Sequence, residues 1–181
     1  MSLVDRLLER LLARPVDELV RRALAEREAA GPPGSAEDSL YRYRVHGDRS
    51  RLRIHPTAVV NNALFNLSSG TITVGEYAFF GHDVAVLTGT HDIAKFGRER
   101  QTAIPRSGRD VVVHEGAWLA SDVLVLGPCQ IGAHAVVAAG SLVLRDVDPY
   151  TIVAGRPAGV VRTIEPGPDG GDARPAGEGP G

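Results

Sequence analysis

An aliphatic side chain returns every sixth residue along the middle of this chain, at Val113, Leu119, Val125, Ile131, Val137 and Val143. Two positions ahead of the later members stand compact residues, Ala117, Val123, Cys129, Ala135 and Ser141, and an earlier stretch repeats the scheme at Val74, Phe80 and Val86 with Ala78 and Val84. A six-residue period fits neither a helix, with its roughly 3.6-residue turn, nor the two-residue alternation of a simple strand. It is expected where each hexad makes one short strand and a turn, three such sides closing a triangular coil of about eighteen residues with the recurring aliphatic pointing inward. The compact residue also faces the axis, where adjacent sides leave little room. Cys129 is therefore read as a small core residue rather than a nucleophile. As the only cysteine, it also excludes a disulfide framework and a multi-thiolate zinc site within one chain. Ile54 and Val60 place the start of the coil near Arg51, with a slip of register around Asn66.

The flanks read differently. Residues 1–30 carry Leu3, Leu7, Leu8, Leu11, Leu12, Val16, Leu19, Val20 and Leu24 at helical spacing, with Ser2 and Asp5 as a capping pair and a break at Pro15. Acids and arginines mix on the polar face of this amphipathic segment, which favours packing on protein over lying on lipid. Residues 31–50 read as a linker, 51–164 as the coil, and 165–181, rich in glycine and proline, as a disordered tail. No apolar run is long enough for a signal peptide or a membrane span, so the chain is expected to be cytoplasmic. A formal net charge of -2 gives no field that would draw it to nucleic acid.

Val86 to Val113 is 27 residues, which is not a whole number of hexads, so something loops out of the prism over residues 88–109. This stretch, TGTHDIAKFGRERQTAIPRSGR, is polar and charged, and loops carried by a rigid scaffold are where function concentrates. His91 stands at its root.

Three segments resemble the hexapeptide-repeat acyltransferases, among them the maltose, galactoside and surface-polysaccharide O-acetyltransferases: LTGTHDIAKFG at 87–97, GAWLAS at 116–121 and AAGSLVLRDVDPYTIVAGRPAGVVR at 138–162. The resemblance spans roughly residues 52–164 and implies a left-handed parallel β-helix, mainly β, behind the N-terminal helical segment. It implies direct transfer from acetyl-coenzyme A, the acyl donor, with no metal required. The acceptor is a small molecule, a sugar or glycosylated metabolite, whose hydroxyl is activated by His91 as general base. Imidazole, titrating near about 6.5 when unperturbed, suits that task. Glu76, on the preceding coil, is one candidate to orient the ring, and the orienting group is left open. By the same resemblance the Ser121 amide is the oxyanion donor, Trp118 lies along the coenzyme, Ala139 contacts the pantetheine arm, and Arg145 and Arg162 approach the nucleotide phosphates. Asn61, thirty residues before His91, falls where such enzymes bind the acceptor. Ser69 and Gly159 depart from the family's acid and arginine. Homotrimers with sites in the clefts between prisms are also implied.

Two other readings bear weighing. Gamma-class carbonic anhydrases share the coil but hold zinc through three histidines, two of them five residues apart. The six histidines here, at 46, 55, 82, 91, 114 and 134, contain no such pair. A non-catalytic trimeric interaction module would need neither a histidine at the loop root nor the terminal signature.

Overall fold

The computed structural model describes residues 39–165. The chain divides into two compact units, Met1–Ser39 and Leu40–Gly181, and the coil lies in the second. The helix expected over residues 1–30 and the tail beyond residue 165 lie outside the described residues.

Fourteen short strands follow one another: β1 Arg44–His46, β2 Leu52–Ile54, β3 Leu64–Asn66, β4 Ile72–Val74, β5 Phe79–Phe80, β6 Ala85–Leu87, β7 Val111–Val113, β8 Trp118–Leu119, β9 Leu124–Leu126, β10 Cys129–Ile131, β11 Val136–Val137, β12 Leu142–Val143, β13 Thr151–Gly155 and β14 Ala158–Thr163. From β3 to β12 every third strand joins the same sheet. The first side is β1-β3-β6-β9-β12, the second β2-β4-β7-β10, and the third β5-β8-β11-β13, closed off by β14. Pairing between coils is parallel throughout, and only the terminal β13–β14 hairpin is antiparallel.

The hexad explains the registry. Leu124 pairs with Leu142 and Val111 with Cys129, each eighteen positions on, so residues eighteen apart stack directly over one another. Val113, Leu119, Val125, Ile131, Val137 and Val143 are all buried, as are Ala117, Val123, Cys129, Ala135 and Ser141 two positions ahead of them. On the first side each strand's central residue points in: Phe65, Val86 and Val125 are fully buried. The earlier turns are longer, since Leu64 pairs with Ala85, twenty-one positions on. Those added residues are the register slip near Asn66, and Phe65 and Leu67, both buried, keep the column filled across it. The first paired strand is Arg44–His46, upstream of Arg51, with Tyr43 and Val45 packed against the core.

Sharp corners need residues that tolerate the left-handed region. Asn61 (φ 43°), Asp83 (φ 57°), Asp122 (φ 60°) and Gly140 (φ 69°) supply it at the corner between the third and first sides. Asn62 and Asp83 lock two coils there: the Asn62 amide donates to the Asp83 carboxylate at 2.8 Å, and the Asp83 amide donates back to Asn62 Oδ1 at 2.7 Å.

The buried column sets two expectations. Leu119 is seated between Phe80 and Val137 of the neighbouring coils, where the backbone ladders hold the spacing and prevent collapse. Leu119→Ala should cost about 2–5 kcal/mol in denaturant unfolding. Cys129 is held inside the column, and burial, with Asp146 adding to it, raises its thiol from 9.0 to about 11. The folded state thus keeps the proton that the unfolded chain loses, so this contribution to stability is full below pH 9 and falls away towards pH 11. Cys129→Ser should flatten that part of the stability–pH curve.

Candidate active site

The chain leaves the prism after β6 and returns at β7, so residues 88–110 hang from the corner between the first and second sides. Their one helix, α1, is Gly97–Thr102. The segment braces itself through its backbone: the Asp92 amide donates to Ala103 O at 2.8 Å, and the Asp92 carboxylate accepts from the Ala94 amide at 3.0 Å. Arg100 donates to Lys95 O and Ile93 O and lies over the Phe96 ring, 4.7 Å from its centroid. Lys95 pairs with Glu99 at 2.8 Å.

His91 stands exposed at the root, and its Nδ1 lies 2.9 Å from Arg100 O. A carbonyl can only accept, so Nδ1 carries the hydrogen and the neutral ring presents the Nε2 lone pair. This is the tautomer a general base needs. The orienting group is therefore a loop carbonyl. Glu76 follows β4 at the corner between the second and third sides, away from this ring, and its own carbonyl is bonded to the Gly116 amide at 2.8 Å. His91, Gly97, Arg100 and Gln101 line an open depression of about 560 Å³.

The other candidate residues fall elsewhere. Asn61, Ser121 and Ala139 line the corner between the third and first sides, just ahead of the first-side strands. Asn61 donates through Nδ2 to Phe80 O at 2.8 Å, which leaves Oδ1 for a ligand. Among the described residues the backbone N–H groups of Ser121 and Ala139 have no hydrogen-bond partner, whereas Ala120 and Ala138 beside them donate to Val137 O and Val153 O at 2.9 Å. Two free amides stacked on adjacent turns of a stiff coil are donors waiting for an acceptor. Gly81 makes the approach possible, because a Cβ there would stand 2.5 Å from Ser121 N. The Ser121 hydroxyl is taken up by the His82 amide at 3.1 Å.

Trp118 is neither buried nor at a corner. It points outward from the third side, 42% exposed, and stacks on Phe79 with ring centroids 5.6 Å apart. Phe79 escaped the sequence reading although its position was legible, since it sits on the same outward step of the repeat one coil earlier. Arg145 follows β12, at the corner that carries His91, and Arg162 lies on β14 beside Ile152; neither has an ion-pair partner among the described residues.

The registry fixes how these groups relate. Ser121 precedes β9 and His91 follows β6, and these strands run parallel, Ala85 beside Leu124 and Leu87 beside Leu126. The free amides and the imidazole therefore stand off opposite edges of the first side. One copy of the chain does not bring them together. His82, His91 and His114 likewise occupy three different corners, and no group of three metal-binding side chains converges among the described residues.

Comparison with known proteins follows this geometry. Residues 110–145 match the bacterial transferase hexapeptide (six repeats) pattern. The fold superposes on a galactoside acetyltransferase in complex with coenzyme A, with a TM-score of 0.58 and 19% identity over 83% of this chain and 82% of that one. The chain therefore has the hexapeptide-repeat fold of that acetyltransferase. The coil is accordingly a left-handed parallel β-helix. In sequence the chain is 41% identical to serine acetyltransferase 2 of Arabidopsis thaliana over 113 residues, 62% of the chain and 32% of that protein. It is 34% identical to the galactoside O-acetyltransferase of Lactococcus lactis, over 56% of the chain and 49% of that protein. It thus spans between about a third and a half of these relatives' length. Among the described residues no helix is long and apolar enough to cross a membrane.

The free amides give a direct test. In hydrogen exchange the Ser121 and Ala139 amides should exchange at least about tenfold faster than the bonded Ala120 and Ala138 amides, and coenzyme A should protect them. Equal protection of all four without ligand would remove the donor pair.

Proposed function

We propose that this chain is an O-acetyltransferase that moves an acetyl group from acetyl-coenzyme A to a hydroxyl of a sugar or glycosylated metabolite. The observation that carries the reading is the His91 tautomer, with Nδ1–H fixed on Arg100 O and Nε2 free beside an open depression. In this scheme Nε2 takes the proton of the acceptor hydroxyl as its oxygen attacks the thioester carbonyl. A new C–O ester bond forms, the C–S bond breaks, and the imidazolium returns the proton to the departing thiolate. Negative charge developing on the carbonyl oxygen is met by the Ser121 amide, already free of any intramolecular partner. No acyl-enzyme is needed, and the chain's one thiol is buried in the core with its pKa raised.

The remaining roles are supported by where these groups stand. Trp118 and Phe79 offer an exposed apolar surface for the pantetheine arm, the Ala139 amide a donor to one of its carbonyls, and Arg145 and Arg162 uncompensated charge for the nucleotide phosphates. Asn61 Oδ1 is the acceptor contact. Since His91 and the free amides stand at opposite edges of the first side, the site is completed between copies in a homotrimer. The outer face of that side supports such packing, carrying Leu64, Leu87, Leu124, Leu126, Leu142 and Leu144.

A second acceptor class has support of its own: the serine acetyltransferase similarity at 41% identity favours the hydroxyl of a small amino acid. Thiol release from acetyl-coenzyme A, measured with sugars, glycosylated metabolites and L-serine, separates the two. His91→Ala should lower turnover with the active acceptor by about two orders of magnitude or more while coenzyme affinity stays within a few-fold. Undiminished turnover in that variant would sink the assignment.

A further inference from the structure

Resting on that reading, we propose that the Arg100 guanidinium binds a carboxylate or phosphate on the acceptor, so that the substrate is an anionic hydroxyl compound rather than a neutral sugar. The chain as a whole is formally -2, yet residues 88–109 hold Lys95, Arg98, Arg100, Arg106 and Arg109 against only Asp92 and Glu99. Both carboxylates are engaged elsewhere: Glu99 pairs with Lys95, and Asp92 accepts from the Ala94 amide. Neither carboxylate is paired with Arg100. Of its five N–H donors, one goes to Lys95 O and one to Ile93 O, both neutral carbonyls, and Phe96 supports the face of the plane. Three donors remain on a fork that the loop holds, and Arg100 lines the same depression as His91. A fixed planar cation with spare parallel donors suits a carboxylate or phosphate, and its ordering cost is already met by the loop.

The coenzyme's own phosphates are the competing anions. Chemistry argues against them here, because a thioester placed at His91 sets the phosphates away from it by the whole pantetheine arm. Arg100 lies beside the base, at the acceptor's end of the reaction.

The test compares acceptors that differ only in charge: glucuronate and glucose 6-phosphate against glucose, and O-phospho-L-homoserine against L-homoserine, each with acetyl-coenzyme A and with its dephospho analogue. Wild type should favour the anionic member of the active pair in kcat/KM by about tenfold or more. Arg100→Gln, which also loosens the loop it braces and so slows both members, should in addition abolish that ratio, with no change in the preference between the two coenzymes. Arg100→Lys, which retains the charge but loses the fork, should restore part of it. A variant that merely loosens the loop slows both members alike and leaves the ratio intact, which would overturn the proposal, as would a wild-type preference for the neutral member. A lost preference for acetyl-coenzyme A over its dephospho analogue would reassign Arg100 to the coenzyme. Should no acceptor support turnover, the transferase reading fails in its acceptor class. The binding claim still stands or falls on whether glucuronate or inorganic phosphate, and not glucose, moves the His91 Hε1 resonance in wild type but not in Arg100→Gln.

Discussion

Vertical stacking of identical positions is the constraint on which the rest of this molecule depends. Parallel ladders hold successive coils at the fixed inter-strand spacing of about 4.8 Å, so each inward side chain must match the one above and below it. Phe80, Leu119 and Val137 form such a column, as do Val86, Val125 and Val143. A residue placed out of step would send an aliphatic group into solvent and a polar one into a space with no water. The chain can therefore depart from the prism only at a corner, where backbone already turns and no column is interrupted. Residues 88–110 leave at such a corner, between Leu87 and Val111, and the two flanking strands still meet their neighbours in register.

The same rigidity separates the chemistry. A coil that fixes Ser121 and Ala139 beyond one edge of the first side and His91 beyond the other cannot flex to unite them, because the sheet between them is five strands deep and packed on Phe65, Val86 and Val125. Preorganised amides are valuable because they need no reorganisation as charge develops. That property comes from the ladders on either side of Ser121, and the same ladders prevent a single copy from closing the site. In the proposed homotrimer, assembly from several copies would let a stiff scaffold of this shape have both.

What the sequence made legible follows from where the repeat holds. From Val113 to Val143 every inward position was readable, since eighteen-residue turns put each hexad under the next. Phe65 and Leu67 were not, because the turns before them carry extra residues and the step is lost although the column is not. Trp118 was legible from the repeat itself, because the side chain before the inward Leu119 must point out. Glu76 shows the limit of sequence distance. Fifteen residues is not a full turn, and it falls at a different corner from His91. The Arg100 carbonyl had no signal at all, since any residue could provide it and the loop has no period to count by.

In the proposed mechanism, that last contact sets how the base works. A carboxylate behind an imidazole both orients the ring and stabilises the positive charge it gains, whereas a neutral carbonyl does the first fully and the second only in part. Catalysis here would then lean on position more than on charge, and position rests on how firmly the loop holds Arg100 O. Nothing from the buried core reaches that carbonyl: Ile93 and Phe96 are among the most exposed apolar side chains of the described residues, and α1 buries none of its own. The bracing is instead internal. Arg100 ties its own turn to the carbonyls of Ile93 and Lys95, and the Asp92 amide closes the segment onto Ala103. One residue thus holds the ring of His91 with its backbone while its side chain holds the backbone in place, so the orientation of the base and the charge beside it are coupled through a single position in the chain.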